Sequence, residues 1–232
     1  MWINWNDLPE SMKNEQVRPY YEMLKQKRGS LIVKRLFDIL VSVVMLILLS
    51  WLFLILAIAI KVDSHGPVFY RQVRVTTGNR DFRIFKFRTM VNNADKIGSL
   101  VTTGNDARIT RIGAKIRKCR LDEIPQLINI LKGEMSFVGT RPEVRKYVDR
   151  YTDEMMATLL MPAGVTSLAS ISFKDEDELI DEYTEQGMSV DDAYIEKVLP
   201  EKMKYNLEYL RQFNQKRDCM VMMKTVESVF FA

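Results

Sequence analysis

Between Asp38 and Lys61 lie 22 residues without a charge, Ile39 to Ile60, reading ILVSVVMLILLSWLFLILAIAI. As a helix at 1.5 Å per residue this run covers about 33 Å, roughly the thickness of one hydrocarbon core. The sequence therefore predicts a membrane segment. A cleavable signal does not fit, because the run is too long, starts late and has no small-residue cleavage pattern after it. Its flanks disagree with a simple crossing: Lys25, Lys27, Arg28, Lys34 and Arg35 precede it, and Lys61, Arg71 and Arg74 follow. Positive flanks favour the cytoplasmic side, so both ends ask for the same side. A helix that enters and returns satisfies both, provided it breaks near Ser50, yet no proline or glycine accompanies that serine. On the residues alone, spanning and re-entrant topologies stand even. Trp2 to Tyr21 mix aromatics with charges and read either as an interfacial segment or as a mobile tail.

A chain of 232 residues has room for one substantial core with appendages. Its net charge of +4 hides a strong asymmetry. Residues 1–60 carry 7 Lys+Arg against 5 Asp+Glu, residues 61–120 carry 14 against 4, and residues 121–232 carry 13 against 21. A basic middle between a lipid-like segment and an acidic tail points to phosphate ligands, from nucleotides, nucleic acid or lipid headgroups. Cys119 and Cys219 are too few for a disulfide framework or a zinc site and read as reduced thiols. His65, the one histidine, sits before Gly66-Pro67 and reads as a turn residue.

After the apolar run, Val68 to Val75 and Asp81 to Phe87 read as strands of a hairpin around Thr77-Gly78-Asn79. Val91 to Asn105 reads as a helix followed by a flexible stretch. Arg108 to Arg120 has Ile109, Ile112 and Ile116 at helical spacing with a basic opposite face. Pro125 should keep Ile124 out of helical dihedrals, placing Asp122 and Glu123 at a helix junction. A helix from about Pro125 to Leu131, closed by Gly133, would aim its positive end at them. Met135 to Val138 is a short apolar piece leading to a turn at Gly139-Thr140-Arg141-Pro142 that exposes Arg141. Tyr147 to Leu160 reads as a helix stopped by Pro162-Ala163-Gly164. Lys174 to Asp192 reads as a solvated acidic surface, and Pro200 to Phe231 as helical. The expected fold is α+β and mostly helical. It divides into a tail (1–30), a membrane helix (31–62) and a small catalytic domain (63–232) with interfacial amphipathic helices.

Most adjacent Asp-Glu pairs are surface carboxylates, but Asp122-Glu123 follows Arg117, Lys118 and Arg120 in the most basic part of the chain. Cations there would keep the pair ionised, which suits a nucleophile or a metal ligand. Magnesium is the natural ion, since it binds through one or two carboxylates plus substrate phosphates. Lys86, Arg88, Arg117 and Arg141 could together clamp a diphosphate. No Gly-rich phosphate loop and no dinucleotide fingerprint is present.

Several strings then coincide: His65-Gly66-Pro67-Val68-Phe69-Tyr70-Arg71-Gln72, Lys86-Phe87-Arg88-Thr89-Met90, Arg111-Ile112-Gly113, Leu121-Asp122-Glu123-Ile124-Pro125-Gln126-Leu127 and Met135-Ser136-Phe137-Val138-Gly139-Thr140-Arg141-Pro142. In order and spacing they resemble the bacterial sugar transferases of the small monotopic phosphoglycosyl transferase type, from about Lys34 to Pro142, with weaker similarity to about Thr225. The resemblance implies transfer of a sugar phosphate from a UDP-sugar to a polyprenyl phosphate such as undecaprenyl phosphate, with release of UMP, as the first membrane step of a surface glycan or glycoconjugate pathway. It implies Asp122 as nucleophile through a covalent phosphosugar intermediate, and Glu123 assisting with Mg2+ or the lipid phosphate. Lys86, Arg117 and Arg141 would bind substrate phosphates, and the membrane element would be a re-entrant helix on the cytoplasmic face of the inner membrane. Nucleic acid is not an implied partner, and a homodimer is left open. Three positions depart from the family: Trp51 stands where a proline commonly follows the serine at the membrane break, Ala163-Gly164-Val165-Thr166-Ser167 replaces a Pro-Gly-x-Thr-Gly string, and the acidic stretch after Phe173 is unusual. Two rival readings are a non-catalytic adaptor that binds anionic lipid or nucleic acid and a metal-dependent phosphohydrolase.

Overall fold

The structure, a computed structural model, describes residues 3–94, 106–173 and 176–230. The apolar run forms two helices, α2 (Arg28–Leu48) and α3 (Ser50–Asp63), bent by 62° at Leu49. No proline is needed for the break. Leu49 leaves helical dihedrals at φ −94°, ψ 3°, and the Ser50 hydroxyl donates to the Ile47 carbonyl at 2.9 Å, offering that carbonyl a local alternative to the helical ladder. Neither helix alone is long and apolar enough to cross a membrane; the bent pair passes that test together.

Helix α2 is built inside out. Lys34, Asp38 and Ser42, four residues apart on one face, are buried against the rest of the protein, while Leu36, Leu40, Val44, Ile47 and Leu48 are exposed. Lys34 pairs with Asp218 at 2.5 Å, and the Asp38 carboxylate accepts the Phe137 amide at 3.2 Å. On α3, Trp51, Leu54, Ile55 and Ile58 extend the exposed apolar surface.

Residues 3–26 are neither a loose tail nor a peripheral segment. Leu8, Met12 and Val17, with Tyr20, Tyr21 and Leu24 of α1 (Arg18–Gln26), are buried in the main core beside Leu207, Tyr209, Leu210 and Phe213. The aromatics that suggested a lipid interface supply much of this packing, with Trp5 edge-on to Tyr21 at 5.1 Å.

The expected hairpin is present as β1 (Phe69–Thr76) and β2 (Arg80–Phe87), antiparallel over eight residue pairs. Gly78 (φ 70°) and Asn79 (φ 56°) make its turn, two residue types that tolerate the left-handed region. The described start of that expected helix is broken by a turn at Asn92 and left-handed Asn93 (φ 61°), and residues 95–105 lie outside the described residues. Helix α4 (Arg111–Lys118) begins later than its periodicity suggests, because Thr110 caps it through a 3.0 Å bond from the Gly113 amide.

Helix α5 (Gln126–Lys132) ends at left-handed Gly133, as expected. Ile124, however, is helical (φ −53°, ψ −37°) despite preceding Pro125. A 3₁₀ turn, Leu121–Glu123, runs straight into α5, and its hydrogen bonds from the Ile124 and Leu127 amides outweigh the local steric preference.

The apolar piece β3 (Met135–Val138) pairs in parallel with β4 (Ala163–Thr166), a pairing invisible in the sequence. The expected helix over 147–160 is instead a short α6 (Arg145–Val148) and a 3₁₀ helix, Met155–Leu160. Beyond β4 come α7 (Leu168–Ser172), α8 (Glu176–Glu185), α9 (Val190–Ala193), α10 (Leu199–Arg211) and α11 (Gln215–Phe230). The acidic stretch is thus structured: Ile180 is buried, and Asp191 bonds Lys146 and the Tyr147 hydroxyl. Residues 174 and 175 lie outside the described residues. Helix-rich, with two small sheets among the described residues, the fold is α+β.

Candidate active site

The site is assembled from three places. Lys86 comes from β2, whose alternation buries Phe82 and Ile84 and puts Phe87 against α3, with Phe53 at 5.2 Å. Asp122 and Glu123 come from the 3₁₀ turn between α4 and α5. Arg141 follows β3. Its position depends on a close approach of two glycines: a β-carbon on Gly139 would meet the Pro162 carbonyl oxygen at 2.4 Å, and one on Gly164 would meet the Gly139 nitrogen at 2.2 Å. Only hydrogen side chains fit there.

Glu123 is the centre of the arrangement. Its Oε1 accepts from Lys86 Nζ at 2.9 Å and from Arg141 Nη2 at 2.8 Å, with its side chain only 10% exposed. Burial alone would raise its pKa, but Arg141 and Lys86 together outweigh burial and hold the carboxyl well below its ordinary range. Arg141 is correspondingly held charged, chiefly by Glu123. The Lys86 ammonium is pushed down, by burial first, with Glu123 opposing. Arg141 is 31% exposed rather than standing free on a turn, and Lys86 is 22% exposed, so both cations face Glu123 and remain reachable.

Asp122 behaves differently from its neighbour. Burial, with Glu123 adding, raises its pKa, against the pull of Lys86 and Arg117. The expectation that nearby cations dominate both carboxyls holds for Glu123 and fails for Asp122, because among the described residues no ion pair reaches Asp122. Arg117, on the last turn of α4, is close enough to favour ionised Asp122 and ionised Asp106.

The structure does not bring Arg88 into this group. Its guanidinium bonds the His65 carbonyl and the Ser64 carbonyl (2.8 Å), at the end of α3, and it is 4% exposed. It ties β2 to the apolar helices instead of facing Glu123, and a β-carbon on Gly66 would collide with it. The turn predicted at His65 is where this strap lands.

Several positioning residues had no signal in the sequence. Arg120, just before the pair, is left-handed (φ 54°), a rare conformation for a side-chain-bearing residue, and it reverses the chain between α4 and the 3₁₀ turn. Asn129 is fully buried, accepts the Phe85 amide (2.8 Å) and donates to the Arg83 carbonyl (2.9 Å), so it locks α5 to β2. Arg35 of α2 donates to the carbonyls of Ile130 and Leu131 at the other end of α5. The apolar helices and the carboxylates are therefore joined through one short helix.

The description "bacterial sugar transferase" matches residues 29–232. The chain belongs to the bacterial sugar transferase family. Among curated members of this family it is 36% identical over 200 residues to a UDP-N-acetylgalactosamine-undecaprenyl-phosphate N-acetylgalactosaminephosphotransferase of Aeromonas hydrophila, covering 85% of this chain and 43% of that protein. It is 34% identical over 202 residues to a UDP-glucose:undecaprenyl-phosphate glucose-1-phosphate transferase of Klebsiella pneumoniae (85% and 40%). A protein of that same description from Caulobacter vibrioides is 30% identical over 199 residues (84% and 69%). The chain thus spans about two-fifths of the length of the first two.

Among the described residues no group of three or more His, Cys, Asp or Glu side chains could hold a metal alone. The donors of this sugar transferase family member still fit Mg2+. Both cations bond Oε1 of Glu123, which leaves Oε2 outside those bonds, and Asp122 is adjacent. One or two carboxylates completed by substrate phosphates is the usual protein share of a magnesium site.

Proposed function

We propose that this protein transfers a sugar phosphate from a UDP-sugar to undecaprenyl phosphate or a similar polyprenyl phosphate, forming polyprenyl diphosphate-sugar and UMP. The observation that carries the reading is the setting of the carboxylate pair. Glu123 is clamped between Lys86 and Arg141 while Asp122, beside it, is half-buried and, among the described residues, without a cationic partner at bonding distance. The named activities of the relatives support the same donor and acceptor classes.

In the first step an Asp122 carboxylate oxygen attacks the sugar-bearing phosphorus. The new Asp–O–P bond forms as the bond from that phosphorus to the bridging oxygen breaks, and UMP departs with the bridging electrons. In the second step an oxygen of the lipid phosphate attacks the same phosphorus, and Asp122 leaves as a carboxylate. Partial desolvation makes Asp122 more basic than a solvent-exposed aspartate and strips the water that would otherwise blunt its attack. Lys86 and Arg141, reachable and held in place by Glu123, offset the charge of the diphosphate. A magnesium ion held by Asp122 and Glu123 would neutralise phosphate charge and help UMP leave. The outward apolar faces of α2 and α3 fit insertion from the cytoplasmic face as a re-entrant element, which brings the site to the level of lipid phosphates.

The purified chain in nanodiscs, given UDP-sugars, Mg2+ and polyprenyl phosphate, should release UMP with sustained turnover only when the lipid is present. Release of free sugar phosphate without lipid product would replace this reading with the hydrolase.

The electrostatics add a pH prediction. Protonated Asp122 cannot attack, and its pKa is raised, so activity should fall on acidification at a pH above the ordinary aspartate value of about 4. Glu123 stays ionised far below that point and does not set this limb. The measurement is single-turnover UMP release without lipid, so that the acceptor phosphate cannot contribute its own titration. A midpoint at or below about 4 would contradict the assignment.

A further inference from the structure

A second buried charge cluster begins two residues past Arg141. Glu143, 5% exposed, accepts the Tyr194 hydroxyl at 2.7 Å and pairs with Lys202 of α10 at 3.3 Å. Lys202, 4% exposed, also donates to the Tyr194 oxygen at 2.8 Å and to Glu176 of α8 at 3.2 Å. Its ammonium thus makes two hydrogen bonds, to Tyr194 and Glu176, and an ion pair with Glu143. On the other side of Pro142, Arg74 donates to the Pro142 carbonyl at 3.0 Å, and the Gln72 side chain orients it with bonds of 2.9 and 2.6 Å. The peptide carrying Arg141 is therefore fixed from β1 and from α10.

Of the two carboxylates on Lys202, Glu143 is buried and Glu176 is not, its side chain being 30% exposed. Glu176 also lies close enough to Arg141 to favour its charged form. A negative group beside a diphosphate clamp repels the diphosphate, so it is useful only toward a neutral part of the substrate. In a nucleotide sugar, the neutral, hydroxyl-rich part attached to the reacting phosphate is the sugar. An ionised carboxylate offers about four acceptor sites, and the hydrogen bond from Lys202 to Oε1 takes one of them.

We propose that Glu176 is a specificity-determining residue of the transfer reaction, accepting hydrogen bonds from hydroxyls of the donor sugar while Lys202 holds it in place. This rests on the transferase reading above. The Lys202 ammonium fixes the carboxylate before substrate arrives, so little ordering is left to binding. It also links the segment after Phe173, absent from any phosphate chemistry, to the edge of the site.

The test is kcat/KM for a panel of UDP-sugars in nanodiscs, for the unaltered chain, Glu176→Gln and Glu176→Ala, with thermal unfolding recorded for each. Glu176→Ala should lower kcat/KM for the preferred donor by about 10- to 100-fold, the size of a lost hydrogen bond to a charged group. Donors epimerised or lacking a hydroxyl at the contacted position should change by less than about threefold, so the selectivity ratio collapses. Glu176→Gln, which keeps an acceptor oxygen, should recover part of the loss. An equal fall for every donor, or none, would overturn the inference and leave Glu176 as a structural latch, whether or not unfolding shifts. Silence of the unaltered, folded chain with every donor would overturn the transferase reading and this inference together.

Discussion

Asp122→Asn is expected to lower UMP release by at least about 10⁴-fold while leaving the protein folded, because it removes the proposed nucleophile and changes little else. Among the described residues Asp122 makes no ion pair, so the amide leaves no partner stranded, and removal of a partly desolvated charge should slightly favour folding. Intact-protein mass gives the sharper reading. Incubated with its UDP-sugar and no lipid, the unaltered chain should gain the mass of one sugar phosphate, and adding polyprenyl phosphate should discharge it. Asp122→Asn should gain nothing. If the variant still acquires the adduct, the nucleophile lies elsewhere, Glu123 first among the alternatives, although its Oε1 already accepts from two cations.

Gly164→Ala should be a strongly damaging conservative change. The added methyl would sit 2.2 Å from the Gly139 nitrogen and 2.4 Å from the Thr166 carbonyl oxygen, both backbone atoms that cannot swing away. The parallel pair β3–β4 would have to open, at a cost of about 3 kcal/mol or more. For a chain of this size that corresponds to a Tm lower by roughly 6–12 °C. Activity should fall further than stability, because Arg141 follows β3 by three residues and its 2.8 Å bond to Glu123 depends on that strand's position. Gly29→Ala is the matched control: nothing lies within 4 Å of its missing β-carbon, and it sits in the first turn of α2, where alanine is the better helix former. Scanning fluorimetry in nanodiscs compares the two, and equal Tm values would refute the strand-clash argument.

How much of this was legible beforehand depends on the range of each interaction. The hairpin was, since Thr77-Gly78-Asn79 between two apolar-aromatic runs is a local signal and the register follows from the turn. Gly133 as a helix stop was legible for the same reason. The helical state of Ile124 was not, because the hydrogen bonds of the preceding turn decided what proline alone would have opposed. Nor was the packing of residues 3–26, whose aromatics look the same whether they meet lipid or the side of α10.

The sequence by itself determined the apolar block, whose charged flanks left a crossing and a break near Ser50 equally open, and the motif strings that carry Asp122-Glu123, Lys86 and Arg141, since composition and motif strings are properties of the chain. Only the tertiary structure decided that one arginine of the basic set, Arg88, holds α3 instead of facing Glu123, and that the two adjacent carboxyls are pushed in opposite directions. Charge in sequence says that cations are near. Which oxygen they reach, and which carboxyl is left to burial, is settled by distances of a few ångströms between β2, the 3₁₀ turn and the end of β3, brought together across 55 residues of chain from Lys86 to Arg141.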